Sequence, residues 1–340
     1  MKIYLYIIIL ILLCGNVLSS ESIFNVNNIK IEKNDTQTLE NSFKKAFEKF
    51  SQRVLLEEDS RIVSKINSNQ IKNLISHYQI VNKKENNKDV ATLNLFFDKK
   101  KINEFFLKKN VSYSDLFNLD FVIMPVHQIK DDIYIYNKNF FYDNWVLNNQ
   151  NNSEVLQYVM PIENIENIRL IKNYKDNLED LKLEEVLKDY DLKNSALILI
   201  FERENEFKVF IKSIVSNKKV NYNFSINKRN QNNLVTKNKV IIEIKNKILE
   251  ISKSQNLIDL STPAFFNSKL KINNLNNLMN VQKILDQIDL IEYFSVEEII
   301  NKEVKLKIKY YGRIDKIIKV LEEKGLSIKN INNSWLIELT

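Results

Sequence analysis

One cysteine, three glycines, three prolines and two histidines are all that 340 residues contain of these types. A lone thiol, Cys14, excludes an intramolecular disulfide framework. The glycines are Gly15, Gly312 and Gly325. None belongs to a phosphate-cradling or dinucleotide-binding loop, because those loops need several glycines for tight turns and close backbone approach. His77 and His127 have no second histidine at ligand spacing, whereas a metal site needs three or four ligands in a tight cluster. No Gly-x-Ser-x-Gly elbow marks a nucleophilic serine. No cofactor and no metal is expected.

Long apolar runs are equally scarce, and the one that exists stands at the start. Lys2 is a short positive region, residues 3–13 are almost purely apolar, and Val17-Leu18-Ser19 supplies a small residue for cleavage. This is the layout of a secretory signal peptide over residues 1–19. The run falls short of the roughly 20 residues that cross a bilayer. The alternative is an inner-membrane anchor formed by residues 3–18. Leu13 precedes Cys14 where lipoprotein processing requires a small residue. The mature chain then has no cysteine, so its stability must come from its core. About 320 residues are enough for two or three domains, and a hydrophobic content of 44% allows a substantial buried core.

Fifty basic against 43 acidic residues give a net charge of +7. The excess lysine is spread along a chain rich in Asn and Ile, not gathered in a patch. It therefore points to no nucleic-acid partner.

The chain organises itself around residues 195–214. Ser-Ala-Leu-Ile-Leu-Ile-Phe, a polar turn, and Phe-Lys-Val-Phe-Ile-Lys-Ser-Ile make a hairpin whose first strand has apolar residues on both faces. Before it, Leu39, Phe43, Ala46, Phe47, Phe50 and Val54 recur at helical spacing over residues 36–55, behind capping residues 34–36. Short helices are predicted over 60–66 and 68–74. Strands follow over 75–82 and 88–97, and Asp98 caps a helix with Ile102, Phe105 and Phe106. Residues 20–115 form a small α+β unit on this reading.

Residues 116–258 read as a mixed sheet covered by helices. Predicted strands cover 119–126, 155–161 and 220–226. A helix lies near Trp145, residues 148–153 are a polar linker, and helices are predicted over 178–190 and 235–254. Residues 259–340 alternate most clearly. Val304, Leu306, Ile308 and Tyr310 interleave with Glu303, Lys305, Lys307 and Lys309, and Gly325 closes a helix built on Ile314, Ile317, Ile318 and Leu321. The order βαββαβ is a ferredoxin-like module. The fold class expected for the whole is therefore α+β or α/β in three modules.

Three segments carry a family resemblance. They are Asn41-Ser-Phe-Lys-Lys-Ala-Phe-Glu-Lys-Phe-Ser-Gln-Arg-Val-Leu55, Leu93-Asn-Leu-Phe-Phe-Asp98, and Tyr158-Val-Met-Pro-Ile-Glu163 with the later Ala196-Leu-Ile-Leu-Ile200. On these the chain resembles domain-of-unknown-function family 2066, a proteobacterial family of exported proteins. The resemblance implies a fold and a location in the cell envelope, and no active-site residues.

The chemistry-bearing candidates are few. Glu163, Glu166, Glu179 and Asp180 gather near the end of the strand closing at Pro161, where open sheets often build a site. The competing reading is a solvated loop with an acid in a helix first turn. Lys99-Lys100-Lys101 opens a helix against its dipole. Trp145 and Trp335 read as core anchors. Enzymes commonly use Gly, His and Cys at strained turns and proton-transfer sites. Their scarcity favours a non-catalytic periplasmic scaffold that binds an envelope protein, with a weak contact to anionic lipid. The alternative is a hydrolase using carboxylates near Pro161.

Overall fold

The computed structural model describes residues 22–31, 37–85, 88–146, 155–228, 233–272, 274–300, 302–331 and 334–339. The expected leader or anchor, the caps at 34–36 and the linker at 148–153 lie outside these residues. Among the described residues no helix is long and apolar enough to cross a membrane. The chain is an α+β protein with two compact units, the first spanning residues 26–263 and the second formed by residues 264–339 together with residues 22–25.

The first unit opens with strand β1 (Asn25–Ile31) and helices α1 (Gln37–Val54), α2 (Glu57–Val63) and α3 (Ser68–Leu74). Strands β2 (Ile75–Glu85) and β3 (Lys88–Phe97) follow, then α4 (Lys99–Lys108). The three strands form a sheet in the order β1-β3-β2. The stripe of α1 buries Phe43, Ala46, Phe47, Phe50 and Val54 completely or nearly so. Phe50 meets Phe97 at 4.8 Å and stacks on Phe106 of α4 at 6.1 Å between ring centroids. Asp98 caps α4, accepting from the Lys101 N–H at 3.0 Å. The expected break at residues 115/116 falls inside this unit, after strand β4 (Tyr113–Ser114).

The larger sheet is built from β5 (Leu119–Ile129), β6 (Asp132–Tyr134) and, after the short helix α5 (Phe140–Asn144), β7 (Leu156–Val159). Helix α6 (Ile165–Asn173), a 3₁₀ turn (Lys175–Asp180) and the single-turn helix α7 (Leu183–Val186) lead to β8 (Asn194–Glu202), β9 (Glu206–Val215) and β10 (Lys218–Asn227). The order is β10-β9-β8-β5-β6, with β7 also on β5. Both β7 and β8 run parallel to β5, while β8, β9 and β10 form an antiparallel meander. Helix α8 (Asn233–Ser254) covers one face, and β11 (Leu257–Ile258) pairs with β4.

Because β5 and β8 are parallel, both their faces are covered. Ala196, Ile198 and Ile200 join Phe121, Ile123 and the α8 residues Val240, Ile241, Ile244 and Ile248. Leu197 and Leu199 join Val122, Met124, Val126 and the chain around Ile171, Leu181 and Leu187.

One predicted helix is absent. Residues 178–190 contain the 3₁₀ turn and α7, separated by extended backbone at Leu181 and Lys182. The apolar spacing does face the sheet, but Lys212 donates through Nζ to the carbonyls of Glu179 and Leu181, the latter at 2.9 Å. That ammonium takes the place of the internal bonds a continuous helix would form. Helix α6 was not expected. Its Asn164 N-cap and buried Asn167 hide the apolar face in the sequence.

The second unit contains β12 (Ala264–Lys271), α9 (Leu275–Asp286), β13 (Ile291–Ile300), β14 (Glu303–Tyr310), α10 (Ile314–Glu323), β15 (Leu326–Ile331) and β16 (Ser334–Leu339). It carries the expected βαββαβ succession, extended by one strand. The order is β13-β14-β12-β16-β15. Strand β14 is an inner strand, and Val304, Leu306 and Ile308 are fully buried. The predicted closing strand β16 lies parallel to β12, and β15 pairs with it from outside. Gly325 has φ 85° and its N–H donates to Glu322 O at 3.0 Å, so it is the left-handed stop after α10.

Candidate functional site

The best-formed polar centre of the first unit stands where the parallel strands β5 and β8 end. His127 is the fourth inward residue of β5 after Phe121, Ile123 and Pro125, and it is 1% exposed. Its ring meets Phe141 edge-on at 4.9 Å. Glu202 ends β8, its side chain 8% exposed. His127 Nε2 lies 3.0 Å from Glu202 Oε2.

Two lysines complete the centre. Lys237, in the second turn of α8, lies 3.1 Å from Oε2, and Lys228, just after β10, lies 3.1 Å from Oε1. Asn233 Nδ2 donates to Oε1 at 3.3 Å. The aliphatic and aromatic walls support the ammonium groups, with Lys228 over Phe207 at 4.9 Å and Lys237 over Phe140 at 5.7 Å.

The charges follow from this geometry. Burial by itself raises the Glu202 carboxyl, but the bonds from His127, Lys228 and Lys237 outweigh it and hold the group well below the usual carboxylate range. Burial lowers His127, and the neighbouring Lys237 and Lys228 lower it further against the pull of Glu202. The imidazole is therefore neutral. An ionised carboxylate only accepts, so Nε2 carries the hydrogen. Each Glu202 oxygen takes two donors, which fills its acceptor capacity.

A broad open cleft of about 1120 Å³ adjoins this centre, between the ends of β5 and β8 and the 3₁₀ turn. Glu202 and Lys228 form part of its wall. Its lining holds six acidic and four basic side chains, so it presents no field of one sign to a polyanion.

Of the four acids read together in the sequence, Glu179 and Asp180 line this cleft, while Glu163 and Glu166 are elsewhere. Both are exposed and neither lines the cleft. Glu163 accepts from Asn137 Nδ2 at 3.2 and 3.3 Å. Glu166 pairs with Lys188 at 3.0 Å, and that ammonium lowers its carboxyl. The structure thus gives each its own polar partner, Asn137 for Glu163 and Lys188 for Glu166. Lys101 lies 4.0 Å from Asp98. Trp145 is completely buried, with Lys245 Nζ 5.6 Å from its ring centre and bonded to its carbonyl at 2.6 Å. Trp335 meets Phe266 at 6.3 Å. His77 is exposed and stacks on Phe96 at 4.2 Å. Among the described residues no three His, Cys, Asp or Glu side chains group as metal ligands.

Glu202, Lys228, Asn233 and Lys237 escaped the sequence reading. Their signal was slight: a titratable residue closing each of two apolar runs, His127 after 119–126 and Glu202 after 195–201. No family model matches the chain, and no curated protein or solved structure matches it.

Proposed function

We propose that the chain is an exported, non-catalytic scaffold of the cell envelope, periplasmic once residues 1–19 are removed. It binds an envelope protein and meets anionic lipid headgroups weakly. The leader layout and the resemblance to the exported family support the location. One observation carries the non-catalytic reading: the Glu202 carboxylate is saturated by four donors. A general base needs a free lone pair within reach of the proton it takes. Here the lone pairs are spent on joining β5, β8 and α8, so the centre serves as a tie beneath a mixed-charge binding surface.

Crosslinking in intact cells, followed by mass spectrometry of the purified adducts, tests this. The expected result is a recurrent envelope protein partner. The double variant Glu163→Gln, Glu166→Gln should keep the fold and still complement a deletion at least in part. Loss of complementation in that folded variant, with no partner recovered, replaces the scaffold by a hydrolase using those carboxylates.

A further inference from the structure

Residues 159–165 present three aliphatic side chains to solvent within seven residues. Val159 is 40% exposed, Ile162 78% and Ile165 67%. Isoleucine is among the residues most often buried, and single exposed cases need no explanation, but three exposed aliphatic residues within the short β7–α6 connection and its two flanking positions do. The loop is also held from beneath. The Tyr142 hydroxyl donates to Pro161 O at 2.6 Å, and the Ile162 N–H donates to Tyr190 Oη at 2.9 Å. Tyr142 packs edge-on against Tyr136 at 5.3 Å. At the far end Asn164 caps α6 through the Glu166 N–H at 2.8 Å. Two tyrosine hydroxyls and a cap thus fix the backbone in the form that exposes the isoleucines. Fixing a contact loop in advance removes ordering entropy from association.

Charge decides what it meets. Glu163 stands between Ile162 and Ile165, and among the described residues its carboxylate is bonded by the neutral Asn137 amide. A carboxylate has room for about four donors, so capacity for a cation remains. A bilayer would accept the isoleucines but would press Glu163 against anionic headgroups. We infer that this loop is the docking point for a protein partner bearing an apolar pocket with a lysine or arginine on its rim. The inference rests on the interaction reading above and names the contact through which it operates.

The test places a photocrosslinking residue at position 162 of the full chain in growing cells, and at Ile62 as an exposed control. The expected result is an adduct at 162 with one protein, attached in an apolar pocket beside a basic residue. The purified partner should bind the wild-type chain and lose at least about tenfold in affinity with Ile162→Asp. Glu163→Gln should weaken binding about threefold and reduce its salt dependence. Thermal melts of both variants should match wild type, because both side chains are exposed, and Ile165→Ser provides an independent check if one does not. An adduct with a second copy of this chain or with lipid overturns the inference. So does an adduct at position 62 alone, which leaves the interaction reading standing. No adduct at either site, with none in the whole-cell crosslinking, overturns both.

Discussion

The two units place opposite charges in opposite ways. In the first, a carboxylate, an imidazole and two ammonium groups meet at the inner end of a parallel strand pair. In the second, lysines and glutamates face outward along a mixed sheet, as in Lys271–Glu338 at 3.2 Å and Lys305–Glu298 at 2.5 Å. The residue types are the same and the energetic meaning is not. An exposed pair contributes about 0–1 kcal/mol, because water screens it and long side chains lose freedom. A buried carboxylate must be matched donor for donor, since an uncompensated charge there costs several kcal/mol. The outer ladder can lose a member with little effect, while the inner centre depends on every member.

Variants can break or sharpen that contrast. The largest effect is expected from Leu306→Asp, which puts an unpaired charge into the second unit at a cost of several kcal/mol. Limited proteolysis should then cut within residues 264–339 and spare the first unit; cutting spread evenly over both would contradict their independence.

Glu202→Gln should lower stability by about 3 kcal/mol, at the low end for a broken buried pair because the Lys228 side chain is 24% exposed. Urea unfolding measures it, and a loss no larger than that of a surface variant would dissolve the contrast.

Acid should erode the same stabilisation. Glu202 titrates lower in the folded chain than in the unfolded one, so its contribution is present above about pH 4.5 and fades as pH falls through the folded value. His127 adds in the same sense: its folded pKa is depressed, so the unfolded chain takes up the proton first as pH drops below about 6.5. The difference between wild type and Glu202→Gln should therefore shrink on acidification, and a constant difference from pH 7 to 3 would refute the assignment.

Lys245, 6% exposed, is lowered by burial to about 8. The unfolded chain binds that proton more tightly, so wild-type stability should rise as pH increases from about 8 to 10.5, and Lys245→Met should flatten the rise.

The smallest effect belongs to Glu338→Gln in the outward ladder, under about 1 kcal/mol and absent at high salt.

What could be read in advance follows the range of the interaction. Apolar spacing is local, so the hairpin at β8 and β9, the α1 stripe and the alternation of β14 were all legible. The centre was not, because His127 is 75 residues from Glu202, and Lys228 and Asn233 are 26 and 31 residues beyond it. The parallel register of β5 and β8 brings His127 to Glu202, and the end of β10 and the start of α8 deliver Lys228 and Asn233. The missed break at Leu181 has the same origin, a bond from Lys212 across 31 residues. Glu163 and Glu166 were singled out by their place after a strand, but sequence position gave no hint that each had a polar partner on the surface.

The insertion of β16 beside β12 sets a timetable for the second unit. Lys271 and its cross-strand partner Glu338 are 67 residues apart. At ribosomal rates of about 5–20 residues per second, one flank of β12 has no neighbour for roughly 3–13 s after it is made. During that interval a bare strand edge is open to any extended chain that reaches it. A cell making this protein has reason to keep a holding chaperone on that segment until residues 334–339 arrive.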